Sequence, residues 1–400
     1  MNNNLEQTIK TQVKSVLPET IDIRHTLHEN PELSFEEYNT AKLICQKLDG
    51  LGIKYTSGIA KTGILAEIYG TKPSSGETKT VLIRGDMDAL PIDENTDLEF
   101  SSKRENVMHA CGHDVHTSIL LCCAMVLNKL KDKFSGCVKL MFQPGEETSG
   151  GAEPMISAGI LENPKVDTCV ALHAEPSLKI GEARFKAGAA YSSPDEFEIK
   201  IRGKGGHGAL PHLCIDPIVI AAEIITALQT IPSRMIDPFE PAVVSVCAVH
   251  SGSAYNVIPD TVTLGGTARS FSLETRDKLD REIENVVKSI CKLYGAEYEY
   301  KFDRLFPPLI NDEETILRLK SSAEKYLDGN IILGGNPTTA GEDFAYLPLS
   351  VERSALFWLG STEPGEPVNP LHSDKLIVSD RCIEYGAEIF TDYALNFLNN

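Results

Sequence analysis

Val81-Leu82-Ile83-Arg84-Gly85-Asp86-Met87-Asp88-Ala89-Leu90-Pro91 runs from an apolar segment straight into two carboxylates. It reads as a buried strand ending in a glycine turn, with acidic groups just beyond it. Around it strands and helices alternate. Residues 5–30 and Phe35–Leu51 carry helical patterns, the first stopped at Asn30-Pro31 and the second closed by Gly50 and Gly52. Thr117–Leu130 reads as a buried helix, Val138–Phe142 as a strand broken by Pro144-Gly145, and Thr168–Leu172 as another strand. This alternation predicts an α/β domain with a largely parallel sheet. Open sheets of that kind place their sites at the C-terminal ends of strands, and the polar motifs in this part fall there or at the start of a helix.

The pattern changes near residue 187. Phe197–Ile201 alternates as a half-exposed strand, Pro217–Ile231 is helical, Val243–Val249 and Thr261–Thr267 alternate again, and Leu273–Leu293 is helical. That order predicts a small α+β, ferredoxin-like sandwich. The motif-bearing style resumes after Pro307-Pro308. The expected organisation is one domain formed by residues 1–186 and 304–400, interrupted by an inserted domain at 187–303.

With 42% hydrophobic and 24% charged residues over 400 positions, the chain has the make-up of a soluble globular protein of two domains. A net charge of −19 argues against nucleic acid and anionic membranes as partners, since both reward a basic surface. The longest apolar run, near Ile119–Leu127, is too short to span a bilayer. The N-terminus lacks the basic-then-apolar pattern of a signal peptide. Ten cysteines without the spacing of a disulfide scaffold point to reduced thiols, and so to the cytoplasm.

The chemistry concentrates in Met108-His109-Ala110-Cys111-Gly112-His113-Asp114, which packs a thiol, two imidazoles and a carboxylate into seven residues. Glu146-Glu147, His173 and His372 sit in similar polar-within-apolar settings. A structural zinc site draws four ligands from close Cys/His pairs, whereas donors dispersed this widely suit a catalytic centre with more ligands than one zinc requires. Alone, Glu146-Glu147 would be a solvated acidic turn and His173 a core histidine. Adjacent carboxylates on an irregular turn point different ways, however, so one can hold a metal while its neighbour serves as general base. A carboxylate at Asp86 or Asp88 can orient a metal-bound histidine and fix its tautomer. His109 and His116 are read as helix-packing or supporting histidines, and Cys122, Cys123 and Cys137 as core. Gly203-Lys204-Gly205-Gly206-His207-Gly208 lacks the spacing of a phosphate loop, and its glycines let the backbone turn tightly and present His207. Asn256 and Arg269 offer an amide and a guanidinium, the latter suited to bidentate capture of a carboxylate.

Taken in order, several segments resemble the co-catalytic metallo-amidohydrolases of the aminoacylase and hippurate hydrolase type. They are His28-Glu29-Asn30-Pro31-Glu32-Leu33, Asp86–Pro91, Met108–Asp114, Gln143–Glu147, Gly203–His212, Asn256–Asp260, Glu342-Asp343-Phe344 and Leu371-His372. The group includes N-acetyldiaminopimelate deacetylases and indole-acetyl-amino-acid hydrolases, and the resemblance spans nearly the whole chain. It implies a mixed-sheet, peptidase-like α/β catalytic domain carrying two divalent ions (zinc, manganese, nickel or cobalt) and an inserted lid domain that dimerises. Cys111, His113, Glu147, His173 and His372 would be the ligands, Glu146 the general base and Asp88 the supporting carboxylate. His207 would stabilise the oxyanion, in some relatives from the partner subunit, while Asn256 and Arg269 would bind the substrate's carboxylate end.

The implied reaction is hydrolysis of a small-molecule N-acyl amino acid to a carboxylic acid and a free amino acid, in a homodimer or tetramer. The alternative is a metallo-carboxypeptidase or dipeptidase of the same superfamily. Cys111-Gly112-His113, in place of a histidine-led first motif, favours the N-acyl branch. A cysteine hydrolase built on Cys111 with His113 or His173 would leave Glu146, Glu147 and His372 without roles. A non-catalytic binding protein would not need Glu146.

Overall fold

The computed structural model describes residues 2–74, 76–148 and 150–399. The chain divides into two compact units: Met1–Gly188, Asn311–Asn336 and Tyr346–Asn400 in the first, Ala189–Ile310 and Pro337–Ala345 in the second. The last segment joins the second unit through backbone bonds, Thr338 N donating to Ala190 O (2.9 Å) and Ser192 N to Thr338 O (3.1 Å).

The first unit begins with helices α1 (Asn2–Glu29) and α2 (Tyr38–Leu51) and strands β1 (Lys54–Ile59), β2 (Gly63–Tyr69) and β3 (Thr80–Asp86). Helix α3 (His113–Lys129) and strands β4 (Cys137–Gln143), β5 (Thr168–Lys179) and β6 (Ala183–Phe185) follow. The second unit contributes β7 (Ser193–Arg202), α4 (Pro217–Leu228), β8 (Ala242–Ser251), β9 (Thr261–Ser270), α5 (Leu273–Tyr294) and β10 (Glu297–Asp303). The chain then returns through α6 (Glu313–Ala323), β11 (Ile331–Leu333), β12 (Ser354–Thr362) and α7 (Arg381–Asn399).

Eight strands of the first unit form one sheet in the order β1-β2-β4-β3-β5-β12-β6-β11. The central four, β4-β3-β5-β12, are parallel, while β1 and β2 run antiparallel at one side, so the sheet is mixed. Every residue of β3, β4 and β12 is buried, as expected for strands covered on both faces. Helix α3 is buried from His113 to Leu127 and packs between α1 and α7. Gly386 permits that approach, because a Cβ there would lie 2.6 Å from Ile119 Cδ1.

Two helix starts next to the site differ from the sequence expectation. Helix α3 begins at His113 rather than Thr117, because Gly112 adopts the left-handed conformation (φ 85) and turns the chain into the helix there. Helix α2 begins at Tyr38 rather than Phe35, because Phe35 itself is left-handed (φ 61) and cannot be helical.

The second unit is a four-stranded antiparallel sheet, β8-β9-β7-β10, whose apolar side packs with α4 and α5. Asp195 on β7 and Arg276 on α5 form a buried bidentate pair. Pro217–Met235 is long and apolar enough to cross a membrane by length and composition. In this fold Pro217, Ile220, Ala221, Ile224 and Leu228 face the core, while Ile218 and Val219 stay 48% and 49% exposed.

Candidate active site

Because β3, β4 and β5 are parallel and in register, Asp86 and Asp88 at the end of β3 and Glu146 and Glu147 just past β4 come level with His173, which lies within β5 because that strand continues to Lys179 rather than stopping at Leu172. Cys111 and His113 flank the left-handed Gly112 at the start of α3. His372 arrives on the loop after β12, where its N–H donates to Ala110 O (2.7 Å). It too has positive φ (63), an uncommon conformation for a side-chain-bearing residue and one that clusters at functional sites.

Three overlapping sets of donors result. The donor atoms of Cys111, His113 and His173 lie within 4.8 Å of one another, as do those of Cys111, Glu147 and His372, and those of His113, Glu146 and Glu147. Cys111 Sγ is 3.5 Å from His173 Nε2. His372 Nε2 is 3.3 Å from Glu147 Oε1, and His113 Nε2 is 3.8 Å from the same oxygen. The two nitrogen–oxygen spacings are long for hydrogen bonds. Together with the sulfur–nitrogen spacing they match the edges of a tetrahedral coordination shell, in which ligands about 2.0–2.3 Å from zinc stand about 3.3–3.8 Å apart.

The donor set fits a divalent cation on two further counts. His113 Nε2 and Glu147 Oε1 are buried and make no hydrogen bond. Burial and the Glu147 carboxylate push the Cys111 thiol well above its ordinary range, so a thiolate here needs a compensating positive charge. A cation among these groups would satisfy both orphaned atoms and favour the thiolate.

The surroundings fix the ring orientations. Asp88 Oδ1 lies 3.2 Å from His113 Nδ1. Asp88 Oδ2 accepts from Ser34 Oγ (2.6 Å) and from Glu147 N (2.9 Å). Burial opposes ionisation of Asp88, but His113 and Ser34 outweigh it and hold the carboxyl below the usual range. His113 therefore presents Nε2, not Nδ1, to the cluster. A second buried chain runs beneath. Arg84 Nε donates to Gln143 Oε1 (2.8 Å) and Arg84 Nη1 to Asp86 Oδ2 (2.6 Å). Asp86 Oδ1 is 2.6 Å from His116 Nδ1, and His116 Nε2 accepts from Ala174 N (2.9 Å). The chain laces the ends of β4 and β3 to the middle of β5, and it fixes the backbone next to His173. Asp86, His113 and His116 also lie close together, but Asp86 is already held by Arg84 and both His116 nitrogens are engaged. His109 is buried with neither ring nitrogen bonded, and burial lowers it to about 4, so it is a neutral packing ring.

His207, Asn256 and Arg269 lie in the second unit. His207 pairs with Val257, and Gly208 N donates to Asn256 O (2.8 Å), so His207 and Asn256 are neighbours. They lie beyond the Arg202 end of β7, where Thr261 pairs with Arg202, whereas Arg269 pairs with Pro194 at the other end. Eight residues of strand separate the two places, on the order of 25 Å. A single chain does not bring Arg269 together with His207.

The sequence reading did not assign roles to Ser34, Arg84 or Gln143. A serine after Pro31-Glu32-Leu33 and a polar pair inside apolar strands carry no local signal of this kind, because their partners are 54 and 59 residues away.

Comparison with known proteins fits this geometry. Residues 82–396 match Peptidase family M20/M25/M40. The chain belongs to that family. Among its relatives is thermostable carboxypeptidase 1 of Saccharolobus solfataricus, 39% identical over 99% of this chain and 100% of the relative. The N-acyl-L-amino acid amidohydrolase of Geobacillus stearothermophilus is 42% identical over 77% of this chain and 82% of its own length. The crystal structure of a Bacillus subtilis dinuclear metal binding peptidase of the M20 family superposes with a TM-score of 0.83 at 33% identity, covering 96% of this chain and 99% of that one. The large mixed sheet with a separate α+β unit is thus the M20 fold.

Proposed function

We propose that this M20 family member is a metal-dependent amidohydrolase of N-acyl amino acids, holding two divalent ions through Cys111, His113, Glu147, His173 and His372. The observation that carries the proposal is the convergence of these five donors at coordination-shell spacing, with Glu146 beside two of them. Bound there, the ions would supply a water of lowered pKa and a Lewis-acid contact for the amide oxygen. Glu146 takes the water proton as the amide carbonyl is attacked and returns it to the leaving amine. Asp88 holds His113 in the tautomer that leaves Nε2 free.

The carboxypeptidase reading concerns the same bond. The C-terminal residue of a peptide is an N-acyl amino acid whose acyl group is a peptide, so the two activities differ in the acyl pocket and not in the chemistry. The amidohydrolase and carboxypeptidase relatives both support this bond as the target.

In this proposal the second unit serves as lid and dimer contact. In support, β8 is an edge strand with Val243 and Val249 exposed, and α4 exposes Ile218 and Val219. His207 contributes from the partner subunit to stabilise the oxyanion, while Arg269 binds the substrate carboxylate. Their placement at opposite ends of β7 favours supply from two chains. Ten free thiols support a reducing, cytoplasmic setting.

The test is hydrolysis of N-acetyl, N-benzoyl and N-indoleacetyl amino acids, N-acetyldiaminopimelate and C-terminally blocked or free dipeptides, with zinc, manganese or cobalt and with chelator. Glu146→Gln is expected to bind metal like the parent and to lose at least about 10²-fold in kcat. Chelator-resistant turnover, or an active Glu146→Gln, refutes the assignment.

A further inference from the structure

The segment Glu32–Glu37 supplies no donor to the metal cluster, yet it touches both turns that carry it. Glu37 is fully buried. Its Oε1 accepts from the backbone N–H of Gly145 (2.9 Å) and of Phe35 (2.9 Å), and its Oε2 accepts from Thr62 Oγ1 (2.6 Å). Gly145 immediately precedes Glu146 and Glu147. The Phe35 ring lies against the same glycine: a Cβ on Gly145 would come within 2.5 Å of it. Phe35 reaches that place only by taking a left-handed backbone, which is unfavourable for a bulky side chain. Next to it, the Ser34 hydroxyl holds Asp88, which also accepts from the Glu147 amide. Ala89 N donates to Glu32 O (2.8 Å), tying the Asp88 turn to the same segment.

We propose that Ser34, Phe35 and Glu37 form a positioning clamp that sets the backbone of the Glu146-Glu147 turn against Asp88, with Glu37 as its centre. The proposal rests on the amidohydrolase reading for the roles of Glu146 and Glu147, but the contacts themselves do not. A buried amide that loses its acceptor must move or stay unsatisfied, and either shifts the residues that follow it. Displacement of about 1 Å at a reacting group costs about 10²-fold in rate. The strain held at Phe35 is consistent with a segment kept for placement rather than for stability.

The experiment compares Glu37→Gln with Glu37→Met in the full chain. The glutamine can present its oxygen to both backbone amides and its NH2 to the Thr62 hydroxyl, which can accept. Methionine fills the space but offers only a weak thioether acceptor. Co²⁺ affinity and the visible spectrum of the Co²⁺-loaded protein are measured with kcat and KM, and folding is followed by the fluorescence of the single tryptophan, Trp358. Glu37→Met is expected to weaken Co²⁺ binding and lower kcat, each by about 10- to 100-fold, with an altered Co²⁺ spectrum and little change in KM. Glu37→Gln is expected to restore all of these to within about threefold of the parent.

Ser34→Ala removes one contact to Asp88 and no core volume. It should weaken Co²⁺ binding by about 3- to 10-fold and keeps the test open if Glu37→Met does not fold. Parental Co²⁺ affinity and spectrum in a folded Glu37→Met, or in Ser34→Ala where that variant does not fold, would overturn the clamp, as would a Gln variant as impaired as Met. A parent protein that binds Co²⁺ yet hydrolyses nothing would sink the amidohydrolase reading instead, and the spectrum would still decide the clamp.

Discussion

Asp88→Asn discriminates sharply among accounts of the site, because the substitution removes one charge and almost no volume. Three donors converge on the Asp88 carboxylate: His113 Nδ1 on Oδ1, and Ser34 Oγ and Glu147 N on Oδ2. An asparagine has one accepting oxygen. With that oxygen in the Oδ2 place, its NH2 confronts His113 Nδ1 and forces the proton onto Nε2, the nitrogen that faces the donor cluster. With the amide reversed, His113 keeps its tautomer, but the NH2 meets the Glu147 N–H, and that amide is left unsatisfied. A buried N–H without a partner costs about 1–3 kcal/mol. The molecule takes the cheaper arrangement, so the loss falls near about 1.4–2.7 kcal/mol, or about 10- to 100-fold in metal affinity. The assay is competition for Zn²⁺ against a chromophoric chelator, with the apo-protein's urea midpoint as control. Zinc affinity within twofold of the parent, in a protein whose apo stability is unchanged, would refute the idea that Asp88 acts through the His113 tautomer and the Glu147 amide.

Other parts of the molecule make independent predictions. Burial, reinforced by Glu384, pushes the Glu388 carboxyl up to about 8, against the opposing pull of Lys10 and Lys14. The folded chain therefore keeps a proton that the unfolded chain releases near pH 4.5, and stability falls between those values at up to about 1.4 kcal/mol per pH unit. Glu388→Gln, neutral throughout, should unfold at higher urea than the parent at pH 8.5 and at nearly the same urea at pH 4.5. The buried Trp358 reports the transition, and an equal gap at both pH values would exclude the mechanism. In the second unit, Arg276→Met strands the buried Asp195 carboxylate and should cost about 3–5 kcal/mol. Amide exchange in β7 and α5 should accelerate while the Trp358 midpoint stays in place, and Asp195→Ala added to Arg276→Met should recover part of the loss.

Much of this protein is legible in one dimension because its signals are local. The apolar run Val81–Ile83, the Pro144-Gly145 break and the alternation of Val243–Val249 and Thr261–Thr267 each report how a short segment meets the core, so they mark the strands that carry the site. The donors are legible for the same reason: a thiol, imidazoles and carboxylates at strand ends have few other reasons to be there. Strands β1, β2 and β12 were not read, although β2 and β12 are buried, since their short mixed runs gain definition only from the neighbours they pair with.

What the sequence by itself determined is the inventory: two units, an α/β core, and a set of donors able to hold cations with Glu146 beside them. The tertiary structure alone decided how that inventory is aimed. The left-handed turns at Phe35, Gly112 and His372 carry no clear periodic signal, yet they set where α2 and α3 begin and how His372 is docked. The Gln143–Arg84–Asp86–His116 chain and the contacts of Asp88 and Glu37 join residues that are tens of positions apart. Periodicity reports burial within one element. Tautomer, ring orientation and turn geometry depend on hydrogen bonds between elements, which exist only once the parallel strands have brought their ends to the same edge.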